Sequence, residues 1–316
     1  MVSVNYKTIN GRKYLYAEYS FRLPNGKIKK ISKSIQNKKD INNKKIKEYF
    51  LKKQIEAHQK YADETYKKDV IFNQEQIKKL EQIKIEYREI MKSFTKKQIK
   101  DILDRFTVNF TYESNAIEGN SLTLKDVTLI LGENIVPKNK DLREVYETRN
   151  TREVHELLFN NKIKINIKDI INVQSILVKD TGVQIGFKKL PNYIIMRNLK
   201  TTPPEKVKQE IIKLIQWYNS NKDKIHPLKL ASLFHGKFEQ IHPFEDGNGR
   251  VGRFLINIIL VNNKYPPLII RKSQRIAYLT TLEKFDEKYT VSLERFILKR
   301  FKETYKKFFE IYVKYL

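Results

Sequence analysis

The chain contains no cysteine, which removes disulfides, thiolate metal sites and cysteine nucleophiles together while leaving the compartment unfixed. Its opening residues, MVSVNYKTIN, hold no apolar core of the kind a secretion signal needs. The longest strongly apolar run, Phe254–Val261, is broken by Asn257 and falls far short of the ~20 residues a membrane-spanning helix requires. These absences lead to the expectation of a cytoplasmic protein with no membrane partner. The Walker pattern GxxxxGK[ST] is missing, which excludes a P-loop ATPase. No histidines stand at metal-ligand spacing such as HExxH, so His58, His155, His226 and His235 are expected in structural roles. Carboxylates are scarce beside cations: 36 Asp+Glu against 63 Lys+Arg, a formal net charge of +27. Such a field attracts nucleotides, nucleic acids, acidic proteins and anionic surfaces alike, without choosing among them.

What is present suffices for a folded protein, since 316 residues with 40% hydrophobic content can bury a real core. Residues 1–35 read as a small basic antiparallel β meander, with Tyr14, Tyr16, Tyr19 and Phe21 in an extended segment and turns at Asn10-Gly11 and Pro24-Asn25-Gly26. The first fifty residues carry 13 Lys/Arg against 3 Asp/Glu. Residues 36–75 read as a lysine-rich helical linker region, with Ile46, Tyr49, Phe50 and Ile55 as its apolar stripe and a polar stretch near Asp63–Asp69. From residue 76 to 316 the pattern is mainly α, with helices expected over 74–92, 95–112, 123–131, 141–160, 167–179, 204–218, 228–240 and 250–262, and again from Ser273 onward. Thr123 and Asp126 form an acidic version of a helix-start signal. Residues 182–198 interrupt the helices with β-type side chains and suggest a short hairpin.

One segment concentrates chemistry: His242–Arg253, HPFEDGNGRVGR. Gly247-Asn248-Gly249 lets the backbone take positive φ and approach a ligand closely, and a helix starts directly behind it. Successive N–H groups there form an anion nest reinforced by the helix N-terminus. Arg250 and Arg253, three apart, project from one face of that first turn and can clamp phosphate oxygens. Asn257 is expected to extend that polar face, with Phe254, Leu255, Ile258 and Ile259 on the buried side. Asp246 stands where a carboxylate on Mg2+ would bridge phosphates, and His242 is suited to take a proton from an attacking hydroxyl. A lone glycine pair is ordinarily just a turn. Twelve positions holding base, carboxylate, nest and two arginines in mechanistic order make phosphoryl or nucleotidyl transfer the better reading.

These residues resemble the Fic family signature, HPFx(D/E)GNGRxxR, with every defined position matched. The resemblance runs from about Gln76 to about Phe301 and includes His226-Pro227 and Tyr265-Pro266-Pro267. It implies a Fic-type helical bundle with a β-hairpin flap, acting as a protein adenylyltransferase that moves AMP from ATP to a Tyr, Ser or Thr hydroxyl of a protein target. By that resemblance His242 is the base and Asp246 the Mg2+ ligand. Gly247, Asn248, Gly249, Arg250, Val251 and Gly252 cradle the phosphates, and Arg253 takes the γ-phosphate. Tyr278 matches a tyrosine near the adenine, and Met196, Arg197 and Asn198 are the flap residues nearest the nucleotide. Lys188 departs from the pattern, standing where relatives often carry arginine. Ser114–Gly119, SNAIEG, resembles the family's inhibitory motif (S/T)xxxE(G/N), which implies that Glu118 pairs with Arg253 and that Ser114 belongs to an N-terminal brake. Read from the residues alone, Glu118 is simply a carboxylate ending a helix before Gly119-Asn120. Two other functions use the same sequence: removal of AMP by the same site with Glu118, and a DNA-binding regulator with a nucleotide-sensing core and a basic N-terminal segment. A homodimer is left open.

Overall fold

The computed structural model describes residues 2–194 and 199–316. It begins with a three-stranded antiparallel sheet in the order β1 (Val2–Ile9), β2 (Arg12–Arg22), β3 (Ile28–Ile35). The first turn uses Asn10 and Gly11, both at positive φ (50° and 77°), the backbone that a two-residue hairpin turn matching strand twist demands. After a single 3-10 turn, α1 (Lys44–Thr65) crosses one face of the sheet. Leu15, Ala17, Ile35, Ile46 and Phe50 close a small core of their own between them. Three short strands gain independent stability only when a face is packed in this way. The polar stretch after α1 is docked on the main body: Lys67 N–H donates to Lys224 O at 3.0 Å, and Asp69 accepts from the amides of Ile71 and Phe72 at 2.8 Å each.

The rest of the described chain is mostly helical: α2 (Gln74–Ser93), α3 (Lys96–Ile117), α4 (Leu124–Thr128), α5 (Leu142–Phe159), α6 (Ile167–Leu177), α7 (Pro204–Asn221), α8 (Pro227–Ile241), α9 (Asn248–Asn262), α10 (Arg275–Asp286) and α11 (Thr290–Phe308). Thr95 opens α3 with a capping box to Gln98, and Thr123 opens α4 the same way with Asp126. The segment expected as one helix to Leu131 leaves α geometry at Thr128 for a π turn over Leu129–Glu133, ending at Asn134 in the left-handed region. Helix α3 continues a turn and a half beyond the expected Tyr112, because Ser114–Ile117 are buried against the body.

Helices α8 and α9 form the centre, with α5, α6, α7, α10 and α11 around them. In α9 every residue from Arg250 to Val261 is buried, the environment a helix with apolar side chains on all sides requires. That corrects the role expected of Asn257. It does not extend a polar ligand-facing surface; its amide, fully buried, donates to Leu268 O at 3.0 Å and accepts from Leu268 N–H at 2.8 Å. Asn257 thus satisfies an irregular segment that must cross the core, which a buried backbone always needs.

Candidate functional site

His242 ends α8 in the left-handed conformation (φ 49°, ψ 61°), an uncommon state for a side chain this large. The chain then runs through Pro243–Asp246 to Gly247, at φ 85° the residue that starts α9. No side chain caps α9 from Gly247, so its first-turn amides are directed at whatever anion lies beyond them. The Asn248 side chain is turned back on the loop. It accepts from Phe244 N–H at 2.9 Å and donates to Phe244 O at 2.8 Å, fixing the loop that presents His242.

Arg253, one turn into α9, is 2% exposed. Its Nη2 lies 2.7 Å from Glu118 Oε1, with the Glu118 side chain 43% exposed. Its Nε donates to Ser114 Oγ and its Nη2 to Ser114 O, both at 2.9 Å. Burial pulls the guanidinium toward deprotonation, yet the Glu118 carboxylate beside it carries its pKa above the ordinary value. Glu118 also lies over the start of α9: a methyl group placed on Gly249 would collide with its Oε1. The glycine therefore leaves room at the nest, and a carboxylate fills that room.

Arg250 is also buried and paired, its Nη1 3.1 Å from Glu147 Oε1 and its Nη2 3.4 Å from Asp246 Oδ2. Asp246 is held from the other side by Arg143 Nη2 at 2.8 Å. Arg143 and Glu147 stand one turn apart on α5, and sequence reasoning missed both; the only trace is their i,i+4 spacing of opposite charges. Among the described residues no cluster of three or more His, Asp or Glu is placed to hold a metal. The motif offers one carboxylate, Asp246. That donor set fits Mg2+, which takes one or two carboxylates and completes its octahedron with phosphate oxygens and water.

Beneath the nest, Gly252 lies against two buried side chains. A Cβ there would come within 2.6 Å of Glu239 Oε1 and 2.8 Å of His235 Nδ1. His235 Nε2 shares a 2.7 Å hydrogen bond with the Tyr278 hydroxyl, and Glu239 Oε2 lies 3.8 Å from His242 Nδ1. Tyr278 is 1% exposed, and burial pushes its phenol well up. Val251 is fully buried in the core.

The segment expected as a flap carries two isolated antiparallel bridges, Phe187 with Phe244 and Tyr193 with Lys200. Met196, Arg197 and Asn198 lie outside the described residues. Lys188, the departure from the family pattern, has a buried side chain: its ammonium donates to Asn192 Oδ1 at 2.6 Å and to Thr201 Oγ1 at 2.9 Å. Burial lowers its pKa to about 8. Its backbone N–H donates to Pro243 O at 2.9 Å, and Asn192 Nδ2 donates to Phe244 O at 2.8 Å. The base of this segment is thus fastened to the loop that carries His242.

A helical body thus brings an uncapped helix N-terminus, two buried arginines and a histidine together at one helix junction. Residues 164–260 match the model of the Fic/DOC family. Among curated relatives, a protein adenylyltransferase Fic from Nematostella vectensis is 31% identical over 172 residues, covering 53% of this chain and 40% of that one. Protein adenylyltransferase fic-1 of Caenorhabditis elegans is 29% identical over 180 residues, 55% of this chain and 35% of that one. The chain spans less than half the length of these relatives. Two solved structures share the fold. A Fic domain containing signaling protein from Bacteroides thetaiotaomicron has TM-score 0.65 at 24% identity, covering 72% of this chain and 94% of that one. A Fic family protein from Desulfovibrio desulfuricans has TM-score 0.62 at 23% identity, covering 77% and 75%.

Proposed function

We propose that this protein is an autoinhibited adenylyltransferase that moves AMP from ATP to a hydroxyl side chain of a protein target. The observation that carries the reading is the Glu118–Arg253 ion pair laid across the Gly249 nest, in a chain related to proteins named adenylyltransferases.

In this mechanism the first-turn amides of α9 and Arg250 hold the α- and β-phosphates, and Arg253 holds the γ-phosphate. Asp246, paired here with Arg143, would hold Mg2+, which would supply charge neutralisation at the phosphates. The target hydroxyl oxygen forms a bond to the α-phosphorus as the bond from that phosphorus to the β-phosphate oxygen breaks, and pyrophosphate departs with the electron pair. His242 accepts the hydroxyl proton. While Glu118 occupies Arg253, the γ-phosphate has no cation to seat it, and the α-phosphorus is not lined up for displacement.

The test is intact-mass measurement of Glu118→Gly protein incubated with Mg2+ and each nucleoside triphosphate in turn, with candidate targets present. A mass gain matching AMP from ATP, larger than for the wild type, is the expected result. No gain with any nucleotide refutes transfer, and an equal gain in both proteins refutes the brake. Loss of AMP removal from a modified target on the same change assigns the reverse reaction instead.

A further inference from the structure

The sheet at the N-terminus packs only one face on α1, and its register defines what the other face carries. Pairing Asn5 with Tyr16 and Ser34, and Ser3 with Glu18 and Ser32, sets these residues on the outer side with Lys7, Tyr14, Ser20 and Lys30. Side-chain contacts agree: Lys7 Nζ reaches Ser32 Oγ at 3.1 Å and sits 4.7 Å from the Tyr16 ring centre. We propose that this outer face docks in the major groove of B-form DNA.

Charge complementarity selects the partner. The outer face carries Lys7, Arg12, Arg22 and Lys30 against one carboxylate, Glu18, which is 3% exposed. That carboxylate is already saturated by Asn5 Nδ2 at 2.6 Å, Lys7 Nζ at 3.1 Å and Lys30 Nζ at 2.5 Å. It therefore presents no acidic group to an incoming polyanion, and it holds two ammonium groups along the face. Lys13, Lys27 and Lys29 are exposed at the two ends of the strands, where a duplex brings its phosphates.

Dimensions select the groove. Three strands at ~4.8 Å spacing place the outer strand axes roughly 10 Å apart, comparable with the ~12 Å width of the major groove of B-DNA. The 11 residues of β2, at ~3.4 Å each, run roughly 35 Å, about one helical turn of duplex. Serines at 3, 20, 32 and 34 keep the face low enough for base edges to approach, and Tyr14 and Tyr16 add hydroxyls within it. The deep, narrow major groove of A-form RNA admits no such element. The proposal does not rest on adenylyl transfer, so neither reading falls with the other.

The test is fluorescence anisotropy of the full-length chain with a labelled ~20-base-pair DNA duplex, titrated from ~50 to ~200 mM salt. Arg12→Ala/Arg22→Ala is expected to make the slope of log affinity against log salt shallower by about 2, one unit per lost phosphate contact. Lys206→Ala/Lys208→Ala removes the same charge from exposed positions on α7 and is expected to leave the slope unchanged. Arg12→Gln/Arg22→Gln serves if the alanine pair fails to melt like the wild type. The proposal is overturned by no binding at ~50 mM salt, by equal slopes for the two charge-matched pairs, or by equal affinity for an RNA duplex or a single strand of the same sequence.

Discussion

Replacing Glu118 with glycine should tighten ATP binding by about tenfold. Two unit charges about 4 Å apart at an effective dielectric constant near 20 attract by about 4 kcal/mol. Arg253 is buried, but the Glu118 side chain is 43% exposed, and solvent screening of that half reduces the net term to about 1–2 kcal/mol. An ATP γ-phosphate must displace the carboxylate to reach Arg253, so removing Glu118 returns that term to binding, and about 1.4 kcal/mol is a factor of ten. Glu118→Gln keeps an acceptor without the charge and should give a smaller gain. Isothermal titration with ATP and Mg2+ reads both. The decisive arm is a double-mutant cycle with Arg253→Met, which preserves side-chain bulk: in that background Glu118→Gly should gain nothing. Equal dissociation constants for wild type and Glu118→Gly, or a gain that persists without Arg253, would falsify the reasoning.

Asn248→Ala should cost about 1–3 kcal/mol of stability, because it strands the N–H of buried Phe244, whose C=O keeps its bond from Asn192; chemical denaturation that finds under ~1 kcal/mol contradicts the latch. Gly252→Ala should cost about 1–3 kcal/mol, since the new methyl meets Glu239 and His235, neither able to retreat to solvent. Adding Glu239→Ala should recover part of that loss, and a thermal melt showing none places the strain elsewhere. Burial lowers the His155 pKa to about 3, so below the ordinary value of 6.5 the unfolded chain binds a proton that the folded chain refuses. The stability this supplies is full above pH 6.5 and falls as pH drops, by about 1.5–2 kcal/mol between pH 6.5 and 5. Urea midpoints for His155→Leu should lose that much of the pH slope; an unchanged slope refutes the assignment.

The motif was readable because its parts are contiguous: the glycines, both arginines, Asp246 and His242 lie within one turn of chain and one turn of helix, so spacing alone gives their relative placement. The stop signal at Gly119-Asn120 was readable for the same local reason, but the helix is expected to end at Tyr112, because the burial of Ser114–Ile117 that lengthens it leaves no local trace. Partners arriving from elsewhere carry no such signal. Arg143 and Glu147 reach the motif from a hundred residues upstream, and nothing in their own surroundings names Asp246 or Arg250. Asn257 looked like part of a polar face because its periodicity matches Arg250 and Arg253; the irregular segment it satisfies, Leu268, is visible only in three dimensions. The small sheet was legible from its turns, but the core it shares with α1 depends on pairing across the linker.

The carbonyl of Phe244 serves two masters, taking one hydrogen bond from Asn248 at the head of α9 and another from Asn192 in the segment that bridges to Phe187. Both attachments meet the backbone two residues from His242. With the bond from Lys188 N–H to Pro243 O, a load applied along residues 187–194 is transmitted through two successive carbonyls to the imidazole. Under the proposed mechanism, engaging that segment would also orient His242, and loosening Asn192 would weaken that coupling.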